Sequence, residues 1–284
     1  MAARPKTLWA AIAPVIIGIA LAAEAGGLHI PSALAALLGA VMIQIGTNLA
    51  NDYFDYKKGT DQPGRLGPTR VTQAGLVTPA TMRKAVAVVF SLAVLAGIYL
   101  VWRGGWPIVA VGLSSILFGL LYTAGPYPLG YNGLGDIFVL IFFGPVAVGG
   151  TYYVQTLDIN ATVLMAGLAP GLFSVAILTV NNLRDIGTDA DAGKKTLQVR
   201  LGSTFARWEY LASIVIACLI PPMLFWFGAQ HPYALLVLLA LPAAVPAIRK
   251  VFTLSETPKL NDVLASTGKL LLLYAILFSV GWLL

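Results

Sequence analysis

The chain has 284 residues, of which 58% are hydrophobic and only 11% are charged. Soluble domains average about 25% charged residues, so this composition excludes an ordinary water-soluble fold. The formal net charge of +6 could suit a nucleic-acid-binding protein. However, the basic residues lie in short segments between apolar runs, which favours membrane orientation and argues against a nucleic-acid partner. We therefore expect an all-α, polytopic membrane protein with a single domain over residues 1–284.

Nine apolar runs of roughly 20 residues are long enough to cross a bilayer as helices. They cover residues 8–24, 31–55, 79–102, 106–124, 133–155, 160–183, 204–228, 232–251 and 267–284. Pro31 and Pro79 are expected to begin helices, with Thr78 as the cap of the second. Gly104 and Gly105 are expected to make a turn between spans three and four.

Helix-breaking residues lie inside two of these spans. Pro170 and Gly171 interrupt the sixth span, and Pro221 and Pro222 interrupt the seventh. Neighbouring helices can satisfy the backbone carbonyls that such breaks release, so the breaks need have no function. Alternatively, they mark kinks that open a cavity.

The basic residues also predict the orientation of the chain. With the N-terminus in the cytoplasm, all 18 Lys and Arg residues except Arg103 fall on the cytoplasmic side of the nine-span arrangement. Removing one span would scramble this asymmetry, so the positive-inside rule supports both the number of spans and the orientation.

Two polar stretches lie at the ends of apolar helices, NLANDYFDYKKGTD at 48–61 and NNLRDIGTDADAGKK at 181–195. Residues four apart share a helix face, so each stretch predicts a polar stripe. The first stripe contains Gln44, Asn48, Asn51, Asp52 and Asp55, and the second contains Asn181, Asp185 and Asp189 with Asn182 beside it. NDYFD aligns with NNLRD, which suggests an internal two-fold repeat. Both stretches are expected to face the cytoplasm.

Carboxylates and carboxamides at the edge of a hydrocarbon layer require a compensating partner. Oxygen ligands suit a hard cation, and Mg2+ commonly binds through one or two carboxylates together with substrate phosphates. Basic residues follow each acidic stretch, namely Lys57, Lys58, Arg65 and Arg70 after the first and Lys194, Lys195 and Arg200 after the second. This combination of acids and bases is suited to a magnesium diphosphate. The alternative is that the acids and bases only pair with each other at a helix end. For Lys58 we favour a role in membrane topology alone.

Two connecting segments can contribute to the same site. The linker 59–79 is long, polar and rich in glycine, and it resembles a lid over bound phosphates, although a flexible loop is the simpler interpretation. The segment 121–136 carries Tyr122, Tyr127 and Tyr131. These tyrosines are either interfacial belt residues or the lining of a chamber that stabilises a cation.

At these motifs the sequence resembles the UbiA superfamily of intramembrane aromatic prenyltransferases, and within it the menaquinone branch. The resemblance rests on RPKTL, TNLANDYFDYKKGTD, GPTRVTQAGL, LYTAGPYPLGYNGLGD, GPVAVGGTYYVQ and NNLRDIGTDADAGKKTLQVRLG, between Arg4 and about Gly202. The first family motif, NDxxDxxxD, departs at Gly59, with Asp61 two residues later. Pro126 replaces a lysine that is typical of members acting on 4-hydroxybenzoate.

The resemblance implies a bundle of about nine helices around a central cavity in a prokaryotic-type cell membrane, with the active site at the cytoplasmic face. It further implies Mg2+, a polyprenyl diphosphate donor and 1,4-dihydroxy-2-naphthoate as the acceptor. The implied metal ligands are Asn51, Asp55, Asp185 and Asp189, supported by Asp52 and Asn181. The implied substrate contacts are Lys57, Arg65, Arg70 and Lys194 on the diphosphate, Tyr122 and Tyr131 on the allylic cation, Arg4 on the acceptor carboxylate, and Asn48.

Two alternatives remain from the sequence. A related enzyme could prenylate another acceptor, such as 4-hydroxybenzoate, homogentisate, a glyceryl phosphate ether or a porphyrin. A non-enzymatic transporter could instead use intramembrane acids to carry protons or sodium around a midplane site. The position of the acidic stretches discriminates between these classes, because both are predicted at one membrane face and both are flanked by bases.

Overall fold

A computed structural model of the chain describes residues 2–60, 67, 70–254 and 259–284. Within these residues the structure is all-helical, as the sequence predicts. The α-helices α1 to α11 are, in order, Trp9–Glu24, Ile30–Lys58, Pro79–Gly104, Trp106–Leu121, Gly135–Phe142, Pro145–Thr156, Ala161–Arg184, Ile186–Asp191, Leu197–Trp226, Ala240–Thr253 and Leu260–Leu283. Short 3-10 helices occupy Pro5–Thr7, Leu129–Tyr131 and Pro232–Leu239.

Eight helical segments in the described part of the chain are long and apolar enough to cross a membrane. The remaining predicted span, 106–124, corresponds to α4, which is apolar but has only 16 residues. At 1.5 Å per residue α4 is about 24 Å long, somewhat less than the thickness of a typical hydrocarbon core. The predicted turn at Gly104 and Gly105 is confirmed, and Pro31 and Pro79 lie in the first turns of α2 and α3 as expected. Thr78 caps α3 by accepting a hydrogen bond from the backbone N–H of Thr81.

The break predicted within the sixth span is wrong, because α7 is continuous through Pro170 and Gly171. The chain instead breaks in the fifth span, between α5 and α6, where Pro145 begins the second helix. Gly171 lies against this break, since a Cβ on it would collide with the carbonyl oxygen of Leu140 and lie 3.1 Å from the Cα of Gly144. The glycine in α7 therefore serves close packing rather than helix termination.

The seventh predicted span also differs from expectation. Pro221 and Pro222 lie inside α9 without ending it, as neighbouring helices allow in a membrane bundle. The kink in α9 falls at Gly202, whose φ of 85° is a conformation that favours glycine. The last helix begins at Leu260, seven residues before the predicted start of that span.

Burial separates a central helix from a peripheral one. The apolar window of α7 is 72% buried, whereas that of α3 is 11% buried, so α3 presents most of its apolar surface outward, as lipid contact requires. α2, which ends in the first acidic stretch, packs mainly on α3, and α7, which ends in the second, packs mainly on α9. These two equivalent pairings agree with the internal repeat that the sequence suggests.

We expect Gly171→Ala to destabilise the protein by about 1–3 kcal/mol, because the added methyl group overpacks the contact with Leu140. A melting curve of the purified protein in detergent measures the loss. Gly39→Ala is the matched control, since a Cβ there meets nothing within 4 Å. Equal melting temperatures for the two variants would contradict this role of Gly171.

Candidate active site

The two acidic stretches converge on one cavity at one end of the helical bundle, which we call the polar cavity. Its lining residues are Arg4, Asn51, Asp55, Arg70, Tyr122, Thr123, Gly130, Tyr131, Asn181, Asn182, Asp185, Asp189, Lys194 and Thr196. The ends of α2 and α7 contribute the acids and carboxamides, and the segments that follow these helices contribute the bases. The convergence predicted for the two stretches is therefore present in the fold.

On the first side of the cavity, Asp55 is held by two partners. Arg70 donates to it at 2.5 Å in a buried ion pair, and the hydroxyl of Tyr131 donates to its other oxygen. One turn earlier on α2, the side-chain oxygen of Asn51 accepts a 2.5 Å hydrogen bond from Thr123. Asn51 and Asp55, two of the three predicted ligand residues of α2, are thus fixed in orientation by side chains from elsewhere in the chain.

On the second side, Arg184 organises the acidic stretch. This arginine is 1% exposed and donates to both carboxylate oxygens of Asp185, at 2.8 and 2.5 Å. It also donates to the side-chain oxygens of Asn181 and Asn261, each at 2.8 Å. A single guanidinium therefore sets the positions of two predicted ligands and ties the end of α7 to the start of α11.

Tyr131 joins the two sides. Its hydroxyl contacts Asp55, while its backbone oxygen accepts from the N–H of Lys195 at 2.7 Å. The ammonium groups of Lys58 and Lys194 each lie 4.9 Å from the centre of its ring. Lys194 also pairs with Asp189 at 3.0 Å, so one aromatic ring lies between basic residues of both halves.

Tyr122 lines the cavity with its ring packed against two glycines. A Cβ on Gly130 would lie 2.7 Å from the ring, and one on Gly135 would lie 3.1 Å from the phenolic oxygen. Burial, together with the nearby carboxylate of Asp136, raises the pKa of the Tyr122 phenol above its usual range. Tyr122 is therefore a neutral aromatic face in the cavity wall at physiological pH.

Asp52, a predicted metal ligand, does not line the cavity. Its two carboxylate oxygens accept hydrogen bonds from the backbone N–H groups of Val71 and Thr72, at 3.1 and 3.2 Å. These bonds anchor the end of the predicted lid, so this end of the 59–79 linker is held to α2 rather than loose. Arg65 and Asp61, which also belong to the linker, lie outside the described residues.

Two adjacent lysines at the end of α2 make different contacts from those expected. Lys57, a predicted diphosphate contact, is exposed and does not line the cavity. Lys58 instead reaches the cavity rim, where it donates to the backbone oxygens of Thr123 and Gly125, at 2.7 and 3.2 Å. Successive helical residues point about 100° apart, so the orientation of α2 determines which of the two lysines contacts the loop between α4 and α5.

Asn48 and Arg4 are connected through the N-terminal segment. Asn48, predicted to touch the substrate, instead donates to the backbone oxygen of Ala3 and to the hydroxyl of Thr7, at 3.1 and 3.3 Å. Arg4 lies between these anchors in the left-handed region, with φ 47° and ψ 69°, directly before Pro5. Such a conformation costs about 1–3 kcal/mol and requires support from its surroundings. Asn48 thus positions Arg4, which does line the cavity.

Sequence reasoning missed Thr123 and Arg184 as contributors to the site. Arg184 lies within the NNLRD motif, and its position between Asn181 and Asp185 is the signal that could have identified it. Thr123 follows Tyr122 in a loop, and nothing in the local pattern indicates its contact with Asn51.

The donor chemistry of the polar cavity fits a hard cation such as Mg2+. Carboxylates and carboxamides are oxygen ligands, and a carboxylate that already accepts one or two hydrogen bonds retains lone pairs. Among the described residues, no group of three or more His, Cys, Asp or Glu side chains could hold a metal ion. A cation here would therefore rely on carboxamides, water and ligand oxygens as well, which is typical of magnesium bound with a phosphate.

We expect Asp52→Ala to release the Arg70–Val77 segment without removing a cavity-lining group. Hydrogen exchange at the amides of Val71 and Thr72 should accelerate by about tenfold or more, because two bonds to a charged acceptor are lost. Peptide-resolved exchange followed by mass spectrometry measures this effect. Asp191→Ala, at an exposed position, is the control, and unchanged exchange in Asp52→Ala would contradict the anchoring role.

Comparison with known proteins is consistent with this arrangement. The UbiA prenyltransferase family model matches residues 11–273. The chain is 39% identical to 1,4-dihydroxy-2-naphthoate octaprenyltransferase of Escherichia coli strain K12, covering 98% of this chain and 92% of the relative. It is 40% identical to the Mycobacterium tuberculosis H37Rv protein of the same name, covering 96% and 92%. A solved UbiA homologue from Archaeoglobus fulgidus, bound to DMAPP and Mg2+, aligns with a TM-score of 0.63 at 14% identity, over 98% of both chains. This chain belongs to the UbiA prenyltransferase family.

Proposed function

We propose that this protein transfers a polyprenyl group from polyprenyl diphosphate to 1,4-dihydroxy-2-naphthoate, with loss of carbon dioxide and diphosphate, to give a demethylmenaquinol. The observation that carries the proposal is the polar cavity, where acids and bases from both halves of the chain meet at one end of a membrane-spanning bundle. The names of relatives that are 39% and 40% identical supply the acceptor and place the reaction in menaquinone biosynthesis.

Mg2+ is the cofactor in this proposal. The side chains that would hold it are Asn51, Asp55, Asn181, Asp185 and Asp189, all of which line the cavity. When bound, magnesium supplies positive charge that binds diphosphate oxygens and stabilises the leaving group. Asp52 is not included, because its oxygens hold the backbone of Val71 and Thr72.

The basic residues of the cavity bind the diphosphate. Arg70 and Lys194 line the cavity, where they pair with Asp55 and Asp189, and both are charged donors suited to phosphate oxygens. Lys58 extends this positive rim from the first half of the chain. As the allylic C–O bond breaks, the diphosphate leaves with the bonding electrons, and these cations neutralise the charge that develops on it.

The aromatic residues and the membrane-embedded wall protect the allylic cation that remains. The faces of Tyr122 and Tyr131 attract positive charge, and exclusion of water prevents the cation from being hydrolysed. The electron-rich naphthoate ring attacks through the carbon that bears the carboxylate, which forms the new C–C bond. The carboxylate carbon then leaves as carbon dioxide, and its bonding electrons restore the aromatic ring. Arg4 is positioned to hold the acceptor carboxylate before it leaves.

The location of the cavity bears on the alternatives. Arg4 precedes α1, Asp55 lies near the end of α2, and Asp185 follows α7, so the cavity lies at one end of the bundle rather than midway along it. This position disfavours a transporter that alternates around a midplane site. We place the cavity at the cytoplasmic face of a prokaryotic-type plasma membrane, from the distribution of Lys and Arg.

Purified protein, one polyprenyl diphosphate and a panel of aromatic acceptors test the proposed reaction. We expect dihydroxynaphthoate to be prenylated and decarboxylated, as read by product mass, and 4-hydroxybenzoate and homogentisate to react at least about 100-fold more slowly. Chelation with EDTA should abolish product formation and added Mg2+ should restore it. Faster turnover of another acceptor would overturn the assignment of the substrate, and full activity in EDTA would overturn that of the cofactor.

We expect Asp55→Asn and Asp185→Asn each to lower prenyl transfer by at least about 100-fold, since each removes a charged oxygen ligand from the cavity. Initial rates at saturating Mg2+, with product measured by mass, give the effect. Asp191→Asn is the matched control, because Asp191 belongs to the same acidic stretch as Asp185 but is exposed and does not line the cavity. Similar rates for all three variants would count against the metal assignment.

A further inference from the structure

A second cavity, of about 310 Å³, lies at the other end of the bundle, and we call it the far-end cavity. Its lining residues are Leu21, Glu24, Ala25, Tyr152, Asn160, Thr162, Val163, Gly228, Ala229, Gln230, His231 and Trp282. The axial separation follows from α7, whose Val163 lines the far-end cavity and whose Asn182 lines the polar cavity. Nineteen helical residues span about 29 Å, close to the thickness of the hydrocarbon core.

The far-end cavity therefore lies at the opposite membrane–water interface. Exposed aromatic side chains mark the same end of the bundle, with Trp102, Trp106 and Trp226 each at least 80% exposed. Trp102 is near the end of α3, Trp106 begins α4 and Trp226 ends α9. Aromatic belts of this kind form at the level of lipid headgroups, which makes headgroups the most abundant neighbours of this cavity.

The polar groups of the far-end cavity have both an anionic and a hydrogen-bond-donating character. Glu24 supplies a carboxylate, and the Nε2 atom of His231 lies 3.6 Å from its Oε1 atom, beyond a normal hydrogen bond. His231 stacks on Trp282 with ring centres 4.1 Å apart. Trp282 is 3% exposed, and its indole N–H has no hydrogen-bond acceptor among the described residues. A buried donor without a partner is costly, so an acceptor from a ligand would stabilise this site.

We propose that the far-end cavity binds a group carrying a primary ammonium beside a phosphate, as in the headgroup of a phosphatidylethanolamine lipid. The ammonium would meet Glu24, and the phosphate oxygens would accept from His231 and the indole N–H of Trp282. No Lys or Arg is present among the described lining residues, which disfavours a purely anionic headgroup. One face of Trp282 is covered by His231, which disfavours a choline group that depends on open aromatic faces.

The test uses delipidated full-length protein in detergent and short-chain dioctanoyl phosphatidylethanolamine, phosphatidylcholine and phosphatidylglycerol, with binding measured by native mass spectrometry. We expect the ethanolamine lipid to bind about tenfold more tightly than the other two, corresponding to about 1.4 kcal/mol. O-phosphoethanolamine forms a further arm. Weaker binding of this free compound would assign the site to a lipid, and equal binding would assign it to the soluble compound with the same recognition chemistry.

Glu24→Gln should remove the preference for the ethanolamine lipid, whereas Asp158→Asn should keep it. Asp158 is an exposed acid at the same end of the bundle and does not line the cavity, so it controls for a general loss of negative charge. Prenyl transfer in detergent reports that both variants are folded, because neither residue belongs to the polar cavity. Equal affinity of the wild-type protein for all three lipids, or a preference that survives in Glu24→Gln, would overturn the proposal.

Discussion

Burial of charge is the constraint on which the rest of the structure depends. The carboxylates of the polar cavity lie at the ends of membrane-spanning helices, and each pairs with a base from its own half of the chain. An unpaired carboxylate in this position would cost several kcal/mol. The pairs therefore allow an apolar bundle to hold a polar site. Removing a base would leave its carboxylate buried without that charged partner.

Each half of the chain compensates its acids differently. In the first half, Arg70 comes from the far side of a long linker, and its approach depends on Asp52 anchoring the neighbouring backbone. In the second half, Arg184 lies next to Asp185 in sequence and needs no such connection. Tyr131 contacts both halves at the polar cavity, so the loop between α4 and α5 helps to align the two acidic stretches. The two halves of the internal repeat thus have similar acidic residues, but the bases that pair with these acids come from different positions in the chain.

The sequence predicted features that depend on local patterns and failed where tertiary packing decides. Apolar length predicts the spans, and the spacing of Asn51 and Asp55 predicts a polar stripe, since both follow from helix periodicity. The sequence also assigns Asp52 to this stripe, and only the course of the linker determines that its oxygens bind backbone N–H groups. Similarly, Gly171 resembles a helix breaker in sequence, but α7 is continuous through it. The glycine instead allows close packing of α7 against the break between α5 and α6.

The length of α4 has a consequence for the surrounding bilayer. This helix packs against α2 and α3 and ends beside Tyr122, so a span shorter than the eight other candidate spans adjoins the polar cavity. Lipids next to α4 must compress or tilt to match its hydrophobic length, at a cost of a fraction of a kcal/mol per Å of mismatch. Acyl-chain length therefore affects the stress that the bilayer places on α4, and lipids with longer chains exert the greater stress beside the polar cavity.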